Sequence, residues 1–267
     1  VTADLVASVL AVDPVPWARS QMAFTLAVHI ILVPLGVSWG LMALVANYKG
    51  IRHDDADAME LAQRWSKYMA VTFAVGAVTG TVLSFEFGLL WPKFMGQWGE
   101  VFGVPFAFEG LFFFTEAIFV SIYIFGWKRM KPWAHWWTGV PVVIAGIGGS
   151  ISVIAANAWM NDPTGFTLDS SGTVTEVDPW AVMFNDAMPL MAAHMVVAAY
   201  IVGGFVVASV YAVGMLRGRR DRYHRLGFVI PFTVAAIATV IQMGVGDCLL
   251  YTSPSPRDLS TSRMPSS

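Results

Sequence analysis

Cysteine is almost missing from this chain: Cys248 is the only one in 267 residues. That excludes an internal disulfide framework, a Cys-ligated zinc site and an iron–sulfur cluster held by this chain alone. Charge is scarce too, with 13% Asp, Glu, Lys and Arg where a soluble domain carries about 25%. There is no phosphate-cradling Gly loop, no dinucleotide fingerprint and no internal repeat. The basic residues are divided among three loops, so nucleic acid is not an expected partner.

What replaces charge is apolar surface. Hydrophobic residues make up 56% of the chain, more than one soluble core of this size could hide. Six stretches are long enough to cross a bilayer: 17–47, 68–91, 104–127, 137–159, 184–216 and 226–246. The expected fold is an all-α, polytopic transmembrane helix bundle. No basic segment precedes a short apolar core with a cleavage site, so the first span reads as a retained helix.

Orientation follows from the Lys/Arg count in the loops. Lys49, Arg52, Arg64 and Lys67 follow the first span, Lys128, Arg129 and Lys131 the third, and Arg217, Arg219, Arg220, Arg222 and Arg225 the fifth. Those loops are expected in the cytoplasm. The loop 160–183 has no Lys or Arg and is expected outside, together with the N-terminus. Ten Trp residues, among them Trp65, Trp91, Trp127 and Trp159, fall near expected helix ends, as amphipathic rings do at headgroup level.

Five ionisable side chains interrupt the apolar segments: His29, Glu86, Glu109, Glu116 and His194. An ionisable residue inside a span is costly and marks a functional site by default. Counted from the expected span ends, all five fall in the outer half of the membrane, as a cofactor cluster on one side would require. Neutral imidazole offers a lone pair to haem iron, and the Ala residues flanking His194 would let a flat macrocycle approach the helix. The bland alternative for each histidine is a hydrogen bond to a neighbouring helix. No His/Glu pair sits at i, i+3 or i, i+4, so no other metal has a visible ligand set. Glu109 and Glu116 are two helical turns apart, about 10 Å along one face, which suits a proton relay; the alternative is again a simple interhelical hydrogen bond.

Ordered motifs then carry a resemblance. Arg19, Gln21, Thr25, His29 and Pro34 lie in the first span, and Thr79-Gly80 with Phe85-Glu86-Phe87-Gly88 and Trp91 in the second. Phe102 to Gly110, including Glu109, follows with Glu116 and Gly126-Trp127, then Ala156-Asn157-Ala158-Trp159-Met160-Asn161-Asp162-Pro163 and Gly246-Asp247. The series, in unbroken order over about residues 15–247, resembles subunit I of cytochrome bd-type quinol oxidases.

The resemblance implies roles residue by residue. His29 matches an axial ligand of one of two high-spin haems, a b haem and a haem d. His194 matches the histidine ligand of the low-spin b haem. Glu109 and Glu116 match the paired carboxylates of proton delivery and of the high-spin haem environment, with Glu86, Arg19, Gln21 and Trp159 as further candidates. The implied activity is that of a quinol:oxygen oxidoreductase, which oxidises membrane quinol and reduces oxygen to water while contributing to the proton gradient. Implied partners are a second membrane subunit, small accessory subunits, quinol, oxygen and the lipid bilayer; the location is a bacterial-type cytoplasmic membrane. A b-type electron-transfer cytochrome without oxygen reduction is the alternative, and a proton-coupled transporter a distant one.

At Cys248 the resemblance stops. Relatives continue into an outward quinol-binding loop and later helices that bring a methionine for the low-spin haem and a glutamate for a high-spin haem. Residues 248–267, rich in Ser and Pro, are expected to be a non-native or disordered tail on a haem-binding part spanning 1–247. The 267-residue chain alone is accordingly expected to be inactive as an oxidase.

Overall fold

The computed structural model describes residues 13–252, with side chains through residue 249. Six long helices dominate: α1 (Val15–His53), α2 (Ala56–Leu90), α3 (Pro92–Gly126), α4 (Pro132–Asn161), α6 (Met188–Leu216) and α7 (Arg222–Thr252). Each is long and apolar enough to cross a membrane. The loop between α4 and α6 is not bare coil. It holds a two-stranded antiparallel hairpin, β1 (Phe166–Leu168) and β2 (Val174–Val177), and a short helix, α5 (Pro179–Met183).

Local chemistry sets the joints. Asp55 caps α2 by accepting from the Ala58 N–H, while Asp54 ends α1 in the left-handed region, so two residues turn the chain. Only Trp91 separates α2 from α3, and Pro92, Pro132 and Pro179 open helices at a position whose N–H has no partner to lose.

The helices pack as hairpins, α1 on α2, α3 on α4 and α6 on α7, and α1, α4 and α6 meet one another in the centre. Close approach depends on small residues. Gly203 lies directly on Ser38 of α1, and Gly204 lies against the Pro231 carbonyl and Ala235 of α7. Ser38 donates across to the Ala199 carbonyl at 2.8 Å.

The loops after α1, α3 and α6 share one end of the bundle, where Arg222 pairs with Asp55 at 2.5 Å. This is the basic end. The other, the hairpin end, gathers Trp98, Val101, Phe102, Trp159 and Phe166 into an aromatic cluster with Val174 and Val182.

Several expectations need correction. Five of the six long helices overrun the expected spans, most of all α2 and α3, which each start twelve residues earlier, whereas α6 starts four residues later. Trp65 is not near a helix end: α2 begins at Ala56, and Trp65 lies fully buried among Met42, Leu61 and Val207 and donates to the Tyr211 hydroxyl. α7 runs through Thr252, five residues past Asp247; the remainder of the expected tail, 253–267, lies outside the described residues.

Candidate functional site

His29 belongs to α1 and faces α2. Its Nδ1 lies 2.8 Å from Thr79 Oγ1, and its ring rests against Gly80, where an added Cβ would come 3.1 Å from Cε1. The Thr79 hydroxyl also points back at the Val75 and Gly76 carbonyls, at 3.1 and 3.0 Å. A hydroxyl has one proton. With that proton on the helix carbonyls, the oxygen accepts from Nδ1–H, and Nε2 keeps a lone pair with no partner among the described residues.

One turn toward the hairpin end, Thr25 and Gln21 donate to Oε1 of Glu86, at 2.8 and 3.2 Å. Glu86 is 4% exposed, and its Oε2 has no hydrogen-bond partner among the described residues. A buried oxygen without a partner is expensive, which sets this carboxyl apart from an ordinary interhelical contact. His29, Thr79, Gln21, Thr25 and Glu86 thus form one polar seam between α1 and α2.

His194 lies in a second seam, between α6 and α7. Its Nδ1 is 2.6 Å from the side-chain nitrogen of Gln242, and Nε2 is 3.4 Å from the same atom. The Ala residues beside His194 do not all stay open for a macrocycle. Ala192 is packed against Ala155 and Ala158, and the buried Ala199 accepts from Ser38, because α4 and α1 close over that face.

Glu109 and Glu116 lie on α3, and among the described residues neither has a side-chain hydrogen bond to a neighbouring helix. Glu116 faces α4, where a Cβ on Gly146 would sit 3.5 Å from its Oε1 and 3.9 Å from Val37. Val37 is eight residues beyond His29, so Glu116 lies about 12 Å closer to the basic end than His29, and Glu109, about 10 Å back, is level with the histidine. Glu116 is thus displaced along the bundle from Glu109 and His29, toward the basic end. The early start of α3 makes Glu116 the twenty-fifth of its 35 residues.

The remaining candidates separate. Arg19 is exposed. Trp159 donates to the Thr164 carbonyl at 3.0 Å and packs on Trp98 and Phe102, which makes it part of the hairpin-end core. His135, absent from the sequence candidates, is buried with both ring nitrogens engaged: Nε2 on the Tyr123 carbonyl at 2.7 Å and Nδ1 by the Asn47 amide at 3.3 Å. No imidazole nitrogen is left there to bind anything. Among the described residues, no three His, Cys, Asp or Glu side chains converge to hold a bare metal ion.

A model of the family described as cytochrome bd terminal oxidase subunit I matches residues 17–253. The chain belongs to that family. Within the cytochrome bd family it is 35% identical to the putative cytochrome bd menaquinol oxidase subunit I of Bacillus subtilis over 86% of this chain and 52% of that protein. It is 29% identical to the cytochrome bd-II ubiquinol oxidase subunit 1 of Escherichia coli K12 over 90% of this chain and 47% of that one. The solved bd oxidase structure from Geobacillus thermodenitrificans superposes with a TM-score of 0.85 at 38% identity, over 89% of this chain and 55% of its counterpart. The chain spans about half the length of the curated relatives it matches. With six spans, it is a multi-pass integral membrane protein of a bacterial membrane.

Proposed function

We propose that this chain is the haem-binding part, through residue 247, of the oxidase subunit that takes electrons from membrane quinol and passes them to oxygen, forming water. The observation that carries the reading is the state of the imidazoles. His29 has Nδ1 on Thr79 and, among the described residues, no partner on Nε2, and His194 has Gln242 at Nδ1, with Nε2 3.4 Å from the same atom, whereas His135 has both nitrogens firmly engaged. Haem iron is bound by such a nitrogen, and a ligating histidine has its other nitrogen fixed by a partner. The residues present fit the group.

In this reading His194 ligates a low-spin b haem and His29 one of the high-spin haems, b or d. Haem supplies reversible one-electron chemistry when bound. The protein contributes orientation and protons. Thr79 holds the His29 ring, and Glu109, level with it, receives protons from Glu116, which lies nearer the basic and cytoplasmic end. The N-terminus and the β1–β2 hairpin face outward. The second membrane subunit, accessory subunits and the rest of subunit I complete the site, and the bare Oε2 of Glu86 is one atom positioned for such a group.

The test is spectral. In the full-length oxidase, His194→Ala should abolish the low-spin b signal and retain high-spin haem, His29→Ala should remove high-spin haem, and His135→Phe should leave both signals at wild-type intensity. An unchanged low-spin spectrum in His194→Ala, or haem loss in His135→Phe alone, would reject these assignments.

A further inference from the structure

His194 ligates iron through Nε2 only if its one ring proton sits on Nδ1, and among the described residues the side chain within hydrogen-bond reach of Nδ1 is Gln242. The seam that brings them together is fixed. α6 and α7 are the most extensively packed helix pair, and their spacing is set where Gly204 meets the Pro231 carbonyl and Ala235. Gln242 follows Ala235 by seven residues, two turns, on the same face of α7.

A carboxamide offers a donor on one atom and an acceptor on the other, and a half-turn about its last bond exchanges them. With the nitrogen toward Nδ1, the ring accepts, its proton sits on Nε2, and Oε1 of Gln242 is left shielded from solvent and without a partner. With the oxygen toward Nδ1 and the ring turned so that Nδ1–H points at it, because the Gln242 atom also stands 3.4 Å from Nε2 and so off the Nδ1–H axis, Oε1 accepts from Nδ1–H and Nε2 presents its lone pair. Only the second arrangement is compatible with ligation.

The geometry points to Gln242 as the positioning residue of His194: its side-chain oxygen accepts from Nδ1–H, holds the ring in the ligating tautomer and raises the electron density of the ligand. This inference rests on the reading of His194 as a haem ligand. In this role Gln242 acts through the imidazole. Partners in this position typically change metal affinity 10- to 100-fold. A stronger acceptor makes the ring a better donor to ferric iron and lowers the midpoint potential; removal of the acceptor raises it.

The experiment is a redox titration of the low-spin haem in the full-length oxidase, with haem content read from the same spectra. For Gln242→Leu, similar in size but without an acceptor, low-spin haem is expected to be depleted and its midpoint potential raised. For Gln242→Glu, which keeps an acceptor, occupancy is expected near wild type with a lowered potential. Potentials ordered Glu below Gln below Leu support the proposal. A Leu variant with wild-type potential and occupancy, or Leu and Glu shifts of the same sign, would overturn it. Should the Leu variant fail to assemble, with its high-spin signal lost as well, the Glu variant decides alone, and an unchanged or raised potential there overturns the proposal. His194→Ala separates the two levels. If that variant keeps its low-spin haem, the ligand assignment fails; if it loses the haem while the Gln242 variants leave the potential fixed, only the role of Gln242 fails.

Discussion

Gly204→Ala sets local preference against tertiary packing. In an isolated helix the change is favourable by about 1 kcal/mol, the difference in helix propensity between Ala and Gly. Here the new Cβ would lie 2.7 Å from the Pro231 carbonyl oxygen and 2.8 Å from the Ala235 Cβ. Ordinary contacts start near 3.4 Å, so the pair must part by about 0.6 Å. Neither neighbour can yield by changing rotamer, since one is backbone and the other a Cβ. Overpacking of this kind costs about 1–3 kcal/mol, and the separation also loosens the rest of the α6–α7 seam. The net expectation is a loss of about 1–2 kcal/mol, or roughly 3–6 °C in Tm for a domain of this size, measured by thermal unfolding in detergent. Gly244→Ala is the matched control, because a Cβ there meets nothing within 4 Å; it should be neutral or stabilising. Adding Ala235→Gly to Gly204→Ala should rescue only partly, since it removes the 2.8 Å contact and leaves the carbonyl. If Gly204→Ala unfolds with the Gly244→Ala control, or if Ala235→Gly restores full stability, the close-packing argument is wrong.

Two further outcomes are expected. Arg222 beside Asp55 holds its carboxyl below the usual carboxylate range, so the folded state favours the ionised form: this stabilisation is present above the unfolded value near pH 4 and is lost as pH falls through the lower folded value. Asn is also a good helix cap, so Asp55→Asn should lose the ion pair and keep the cap, with a wild-type-minus-variant Tm difference that is level from pH 5 to 8 and shrinks below pH 4; a difference still full at pH 2 would contradict the assignment. Asp55→Ala removes the cap as well and should cost about 1 kcal/mol more. In the full-length oxidase, Glu109→Gln and Glu116→Gln should each slow quinol-dependent oxygen uptake about a hundredfold, the low end for a positioned proton-transfer group, or lose high-spin haem; normal turnover with intact haem in both would remove the relay.

The spans, the membrane setting and the two histidines were legible because each is a property of a single segment: apolar length for the first two, and the cost of an ionisable group in lipid for the last. The partners of those histidines were not, because Thr79 is 50 residues from His29 and Gln242 is 48 from His194, and neither is ionisable. Yet a hairpin is close to a mirror. Reflecting His29 through the turn at Asp54–Asp55 lands on residue 80, beside Thr79. Reflecting His194 through the middle of the 217–221 loop lands on residue 244, two from Gln242. An uncharged amide or hydroxyl at the mirror position of a membrane histidine is therefore a readable signal, provided that the turn is placed correctly. Depth is harder to read. The level of Glu116 depends on α3 starting at Pro92 and on where α4 brings Gly146, neither of which a hydropathy window marks. The two carboxylates of α3 thus stand at two levels, with Glu109 level with the histidine and Glu116 toward the basic end. A proton relay entering from that end would use this displacement, since it carries the proton along the bundle rather than across it.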